Sequence, residues 1–398
     1  MSDSIDRRSF LGGAALGVLG AAVARPAGAQ TGAARTEPEI VGANGSPGGG
    51  LIIRERQPVN LEFPLSSLNG PITPTNQFFV RTHFPMPVIK AANWRLTVDG
   101  AVEKTLSLSY DDLRKLPAQT KPILLECAGN GRAHLVPKAK GLLWESGAVG
   151  TAEWTGVPLS TVLEMAGINQ DAVEVILQGA DEGEIADEPK SPGKIPFERS
   201  LPLKKAMQPE VFLAYQMNGK DLTREHGYPV RAIVGGWYGM AAVKWLSRIS
   251  VTTSRYQGFW QSLEYANWQR VDGRPTLVPV TTIAVKASIA RPSLSEAVPA
   301  GNPYRVFGVA WSGESEIAQV EVSCDSGKNW TEAKLLGEST PFAWRLWEHT
   351  WNVPANPGRV TLMARATDQA GHTQPVSHDR DRRNYMINFI TPVEVEVV

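Results

Sequence analysis

One cysteine stands where a hydrophobic strand gives way to a glycine turn. The run Pro122-Ile-Leu-Leu-Glu126-Cys127-Ala128-Gly129-Asn130-Gly131-Arg132 delivers a thiol to the end of a rigid strand, beside backbone amides and an arginine. A thiolate in that setting can ligate a soft metal or act as a nucleophile. Taken alone, a free cysteine is as readily a small buried hydrophobe. A second run, Thr73-Pro-Thr-Asn-Gln-Phe-Phe79-Val-Arg81-Thr-His83, puts Phe79, Arg81 and His83 on one side of an extended segment, and a cation flanked by aromatics there suits an anion. Isolated Arg and His residues more often partner carboxylates. Lys140-Gly141-Leu-Leu-Trp144 and Phe212-Leu-Ala-Tyr215-Gln-Met-Asn218-Gly219 are two further pieces, each of which reads by itself as core or loop.

The elements around these residues are short. With 37 Gly and 29 Pro, the chain is a succession of brief apolar runs separated by turn residues, the texture of strand-rich folds. Its 398 residues predict two domains, since single cores stop growing at roughly 250 to 300 residues. From 51 to 272 the pattern is α+β: strands at Trp94 to Val98 and Val173 to Leu177, and a helix at Leu159 to Ala166 whose apolar residues recur at three- and four-residue spacing. A linker marked by Pro275 and Pro279 precedes a purely strand-and-turn region, 273 to 398. There Gln319 to Cys324 and Val360 to Ala366 alternate, and Asp325-Ser326-Gly327 makes a tight turn. This reads as an immunoglobulin-like β-sandwich.

Residues 1 to 29 carry an export address. Arg7 and Arg8 precede a Gly/Ala-rich apolar run that ends at Ala27-Gly28-Ala29, a twin-arginine signal with a small-residue cleavage site. The apolar run is shorter than the ~20 residues a membrane anchor needs. The mature protein is therefore expected in the periplasm, without stable membrane association, after a flexible leader from 30 to 50. With 40 basic and 40 acidic side chains the net charge is zero, so no overall field draws the chain to nucleic acid. Cys127 and Cys324 are the 2 cysteines, and nothing in their placement supports a bridge between them. The sequence lacks Cys-x-x-Cys-His, so no c-type haem is attached to it.

Taken together and in order, these pieces closely resemble the sulfite oxidase family of molybdenum-cofactor enzymes. The shared motifs are Thr-Pro-x-x-x-Phe-Phe-Val-Arg at 73 to 81, Cys-Ala-Gly-Asn at 127 to 130, and the Gly/Trp run from Gly141 to Trp154. Ala-Tyr-x-Met-Asn-Gly at 214 to 219, His-Gly-Tyr-Pro-Val-Arg at 226 to 231 and Val-Lys-Trp-Leu at 243 to 246 complete the set. The resemblance implies that Cys127 is the thiolate ligand of molybdenum and that Arg81, Arg132, Trp144 and Tyr215 line an oxyanion pocket. It also implies that Phe79, His83, Asn130, Lys140, His226, Arg231 and Lys244 hold the molybdopterin. The implied reaction is oxidation of sulfite to sulfate by a homodimer that passes electrons singly to a periplasmic c-type cytochrome. Relatives that oxidise sulfite often carry a further pocket arginine shortly after a Trp-Ser-Gly or similar turn, whereas here Trp311-Ser312-Gly313 is followed by Glu314-Ser315-Glu316. That departure leaves a molybdenum reductase of sulfoxides or other oxidised sulfur or nitrogen compounds as the alternative. A non-catalytic cell-surface binding module would account for the sandwich half alone.

Overall fold

The computed structural model describes residues 50–398, so the signal at 1–29 and the leader up to residue 49 lie outside the described residues. The strands that carry the candidate chemistry form two sheets. In the first, Gln119–Glu126 pairs antiparallel with Val149–Pro158, which pairs with Val211–Met217; that strand in turn pairs with Arg231–Val234. In the second, Leu106–Ser109, Arg95–Gly100, Leu246–Thr252, Glu174–Gly183 and Ile195–Pro202 lie side by side, and only Arg95–Gly100 and Leu246–Thr252 run parallel within it.

Gln119–Glu126 is an edge strand, yet Ile123 to Glu126 are buried on both faces. The reason is a lid of backbone from late in the chain: the Leu124 N–H donates to the Phe342 carbonyl at 2.8 Å. A covered edge explains why the run reads as continuously apolar rather than alternating.

Helix is scarce. Leu159–Ala166 forms as its spacing predicts, burying Leu159, Val162, Leu163 and Ala166. Tyr110–Arg114 is started by a reciprocal capping box between Ser109 and Asp112. The first half is thus a sheet-rich body with a few short helices, because most apolar runs here are too short and too punctuated by Gly and Pro for a helix. Pro275 and Pro279 lie not in a linker but in the strand Arg274–Pro279, paired with Ala266–Val271. The hairpin turns on Asp272 and Gly273, whose φ angles of +50° and +75° suit a two-residue turn.

Beyond the hairpin, one sheet is made of Lys286–Arg291, Pro303–Trp311, Arg345–Asn352 and Lys334–Leu335. A second contains Ala297–Val298, Val393–Val397, Gly358–Asp368, Ile317–Ser323 and Thr331–Glu332. Inward residues of both, among them Val306, Val320, Trp347, Leu362 and Val395, share one core. A larger core joins this region to the first body: Trp311, Trp344 and Tyr385 pack in the same cluster as Leu124 and Ala128.

Candidate active site

Cys127 follows directly on Glu126, and the turn after it is fixed by backbone. The Cys127 N–H donates to Ala148 at 2.9 Å, Asn130 N–H to the Cys127 carbonyl at 2.8 Å, and Arg132 N–H to Gly129 at 3.1 Å. Two cavities meet at the thiol. The inner one is lined by Phe79, Asp181, Glu225, His226, Arg231, Lys244 and Trp245; the outer by Arg132, Lys140, Glu264, Arg383, Asn384 and Tyr385. Arg81, His83, Cys127 and Tyr265 belong to both.

The inner cavity holds more positive charge than the protein itself matches. Arg231 is buried and donates only to carbonyls, His226 O at 3.1 Å and Ala242 O at 2.9 Å, and burial lowers its guanidinium to about 9. Burial, then the neighbouring Arg231, brings Lys244 down to about 7, with Asp181 acting in the opposite sense. Burial, then Arg231, brings His226 to about 3, so it stands neutral and donates from Nε2 to the Thr75 carbonyl at 3.1 Å. His83 is also neutral, held well below its ordinary value by burial and then by Arg81 and Lys244. Burial raises Asp181 to about 6, and its Oδ1 has no hydrogen-bond partner among the described residues. Buried cations that line a cavity and are bonded only to carbonyls can be completed there by an anion, and an orphaned carboxylate oxygen calls for a donor. A group bearing a phosphate and ring N–H donors satisfies both, and that is the chemistry of a molybdopterin.

The outer cleft is walled by guanidiniums. Arg132 is buried in a cradle of glycine: a Cβ at Gly129 would lie 2.2 Å from its Nη2, and one at Gly141, whose φ is +95°, would lie 2.9 Å from its Nη1. Its Nη1 donates to Leu142 O at 2.9 Å and its Nε to Asn384 O at 3.2 Å. Arg383 is anchored by the Leu263 and Ala266 carbonyls at 3.0 and 3.1 Å. Arg81 donates to Thr82 O. Where the cavities join, the Tyr265 hydroxyl lies 2.6 Å from His83 Nε2, and burial pushes this phenol up to about 12, so it keeps its proton. Glu264, next in chain, accepts from Tyr385 at 2.6 Å. Among the described residues no group of three His, Cys, Asp or Glu side chains converges on a metal, so a metal beside Cys127 would need ligands from the cofactor itself.

Most of the expected residues converge, and some do not. Tyr215 lines neither cavity. On its strand, Phe212, Ala214 and Met217 face the cluster that contains Cys127, while Leu213 and Tyr215 face the opposite core, where Tyr215 packs 6.5 Å from Tyr110 and beneath Arg114. The tyrosine at the junction is Tyr265. Trp144 is fully buried in the Cys127 cluster without lining a cavity, and its indole N–H has no partner among the described residues. Asn130 turns away from both cavities and braces the turn, accepting from Ala148 N at 3.1 Å and donating to Glu126 at 3.0 Å. Lys140 is exposed at the outer rim, not in the inner cavity. Glu314 repels nothing in the cleft, because it pairs with Lys205 at 2.9 Å and accepts from Trp237 at 3.2 Å. Late in the chain, Arg383 adds a further cation to the outer cleft. Asp181 had a sequence signal: it follows Val175, Leu177 and Gly179 on the inward face of its strand, where a lone carboxylate is out of place.

Comparisons with known proteins agree with this geometry. Residues 83–260 match the oxidoreductase molybdopterin binding domain and residues 278–397 the Mo-co oxidoreductase dimerisation domain. Sulfite oxidase of Gallus gallus is 37% identical over 350 residues, 82% of this chain and 73% of that protein. Mitochondrial sulfite oxidase of Rattus norvegicus is 36% identical over 370 residues, 87% of this chain and 66% of that protein, so the chain spans about two thirds of the latter's length. The solved structure of the sulfane dehydrogenase SoxCD from Paracoccus pantotrophus superposes with a TM-score of 0.73 at 30% identity over 84% of each chain. The chain belongs to the sulfite oxidase family: it is a molybdopterin oxidoreductase whose cofactor-binding domain is followed by a dimerisation domain.

Proposed function

We propose that the protein is a sulfite dehydrogenase, in which sulfite and water become sulfate, two protons and two electrons. One observation carries the reading: Cys127 stands where a cavity of buried, unmatched cations meets a cleft walled by Arg81, Arg132 and Arg383. In it the thiolate of Cys127 binds molybdenum, while His226, Arg231, Lys244 and Asp181 hold the pterin and its phosphate. When bound, that group supplies two-electron oxygen transfer. The guanidiniums of the cleft orient a compact oxyanion through forked hydrogen bonds. Tyr265 keeps its proton at the junction, and neutral His83, hydrogen-bonded to its hydroxyl, holds that phenol in place.

The remaining parts of the reading rest on the sequence. The twin-arginine signal supports export to the periplasm, and the lack of a haem-attachment motif supports single-electron transfer to a separate c-type cytochrome. Two sheets sharing one core support an immunoglobulin-like assignment for residues 273–398, through which the homodimer would form. Glu314, tied to Lys205, no longer favours a reductase. The test is sulfite-dependent reduction of cytochrome c with sulfate measured in parallel. Two cytochromes reduced per sulfate formed are expected; reduced-viologen oxidation by a sulfoxide or nitrate, without sulfite turnover, would replace this reading with the reductase.

A further inference from the structure

A second set of charges lies behind Cys127, on the side away from both cavities. Glu126 and Cys127 are successive residues at the end of an extended strand, so their side chains leave it in opposite directions. The thiol faces the cavities, and the carboxylate faces the C-terminal region. There Glu126, almost fully buried, accepts from the Trp311 indole N–H at 2.9 Å and from Asn130 Nδ2 at 3.0 Å, and meets Lys286 Nζ at 3.4 Å. Lys286, also buried, donates to Ile387 O at 2.9 Å and to Asn130 O at 3.3 Å. The Met386 N–H donates to Ala128 O at 2.8 Å. A Cβ at Gly131 would come within 3.0 Å of Ile387 Cγ2 and 3.4 Å of Lys286 Nζ, so the turn is seated directly against this region.

We propose that Lys286, Glu126 and Trp311 are positioning residues through which the dimerisation domain fixes the Cys127 sulfur in the metal site. The inference rests on the reading of Cys127 as the metal ligand. A buried ion pair contributes little stability over a well-packed apolar pair, so stability alone does not account for one here. Direction does: charged hydrogen bonds hold the carboxylate, and hence the residue after it, in one orientation. None of the three side chains lines either of the two cavities at Cys127, so their effect reaches the reaction through the turn.

The test uses the full-length holoenzyme carrying Lys286→Met, Lys286→Arg or Trp311→Phe. The readouts are molybdenum content, the paramagnetic resonance spectrum of the half-reduced metal generated with dithionite, and kcat separately from KM. Lys286→Met should shift the spectrum and lower kcat by about tenfold while KM stays within about twofold, as for other groups that orient a metal ligand. Lys286→Arg should restore both towards wild type. Trp311→Phe removes one hydrogen bond and keeps the ring, so it should show the same changes at smaller size and covers the case in which Lys286→Met does not fold. Variants with lowered melting temperature but wild-type spectrum and kcat would overturn the proposal and leave the cluster as fold cement. Failure of the underlying reading looks different: Cys127→Ser would then keep its molybdenum and its spectrum whatever Lys286 does.

Discussion

The inner cavity and the outer faces of the dimerisation domain use the same residue types to opposite ends. On the C-terminal sheets Arg291, Arg305 and Arg365 meet Glu296, Glu348 and Glu321 at 2.7 to 2.8 Å. In the inner cavity Arg231 and Lys244 are more deeply buried, where an unpaired charge costs far more, and their hydrogen bonds go to carbonyls alone. Matched surface pairs are worth about 0 to 1 kcal/mol each and need no further partner. Arg199, also buried and bonded only to the Trp260 and Val280 carbonyls, is enclosed and lines neither cavity, whereas Arg231 and Lys244 line one and are open to a ligand, and that contrast marks the working half of the molecule.

The sharpest break in activity should come at the point where the cavities meet. Cys127→Ser should cut sulfite turnover by roughly a hundredfold, with the melting temperature close to wild type. Steady-state rates beside a thermal melt check it, and near-normal turnover would end the ligand assignment. Next comes the cleft: Arg81→Gln or Arg132→Met should raise KM more than tenfold, since removing one partner of a buried charged hydrogen bond costs about 2 to 5 kcal/mol. Arg305→Met, on the paired surface, should leave KM unchanged.

A third effect separates function from stability inside the cavity. Lys244 stands at about 7 when folded, against an ordinary 10.5. Between those values the unfolded chain binds the extra proton, so the stability of cofactor-free protein should rise as pH climbs through that window. Holoprotein, in which bound phosphate favours the charged lysine, should show less of this rise. Lys244→Met should abolish it and lose molybdenum, which melts across the window and metal analysis would reveal. The smallest effect belongs to the matched surface. Burial would raise Glu296, but hydrogen bonds from Arg291, Ser293 and Tyr304 bring it to about 2 from an ordinary 4.5. Its stabilisation is present above 4.5 and is lost as pH falls towards 2, and Glu296→Gln should flatten that stretch of an acid melt slightly without touching turnover.

What the sequence disclosed was what local spacing can disclose. The Cys127 turn, the Phe79 to His83 run and the Leu159–Ala166 helix each follow from residues within a few positions of one another. Tyr215 went astray on a single step of strand parity: its neighbour Ala214 faces the Cys127 cluster, and Tyr215 itself faces the other core. Tyr265 and Arg383 reach the site from beyond the family motifs, by a hairpin and a late C-terminal segment whose approach no short-range pattern encodes. Lys286 is of the same kind, a first-strand residue of one domain buried against a turn of the other.

The most direct test of the account is metal analysis of the purified full-length protein, followed by addition of sulfite in the presence of oxidised cytochrome c. About one molybdenum per chain with sulfite-dependent reduction is the predicted result; a protein without molybdenum, or one that holds it and ignores sulfite, would contradict the account.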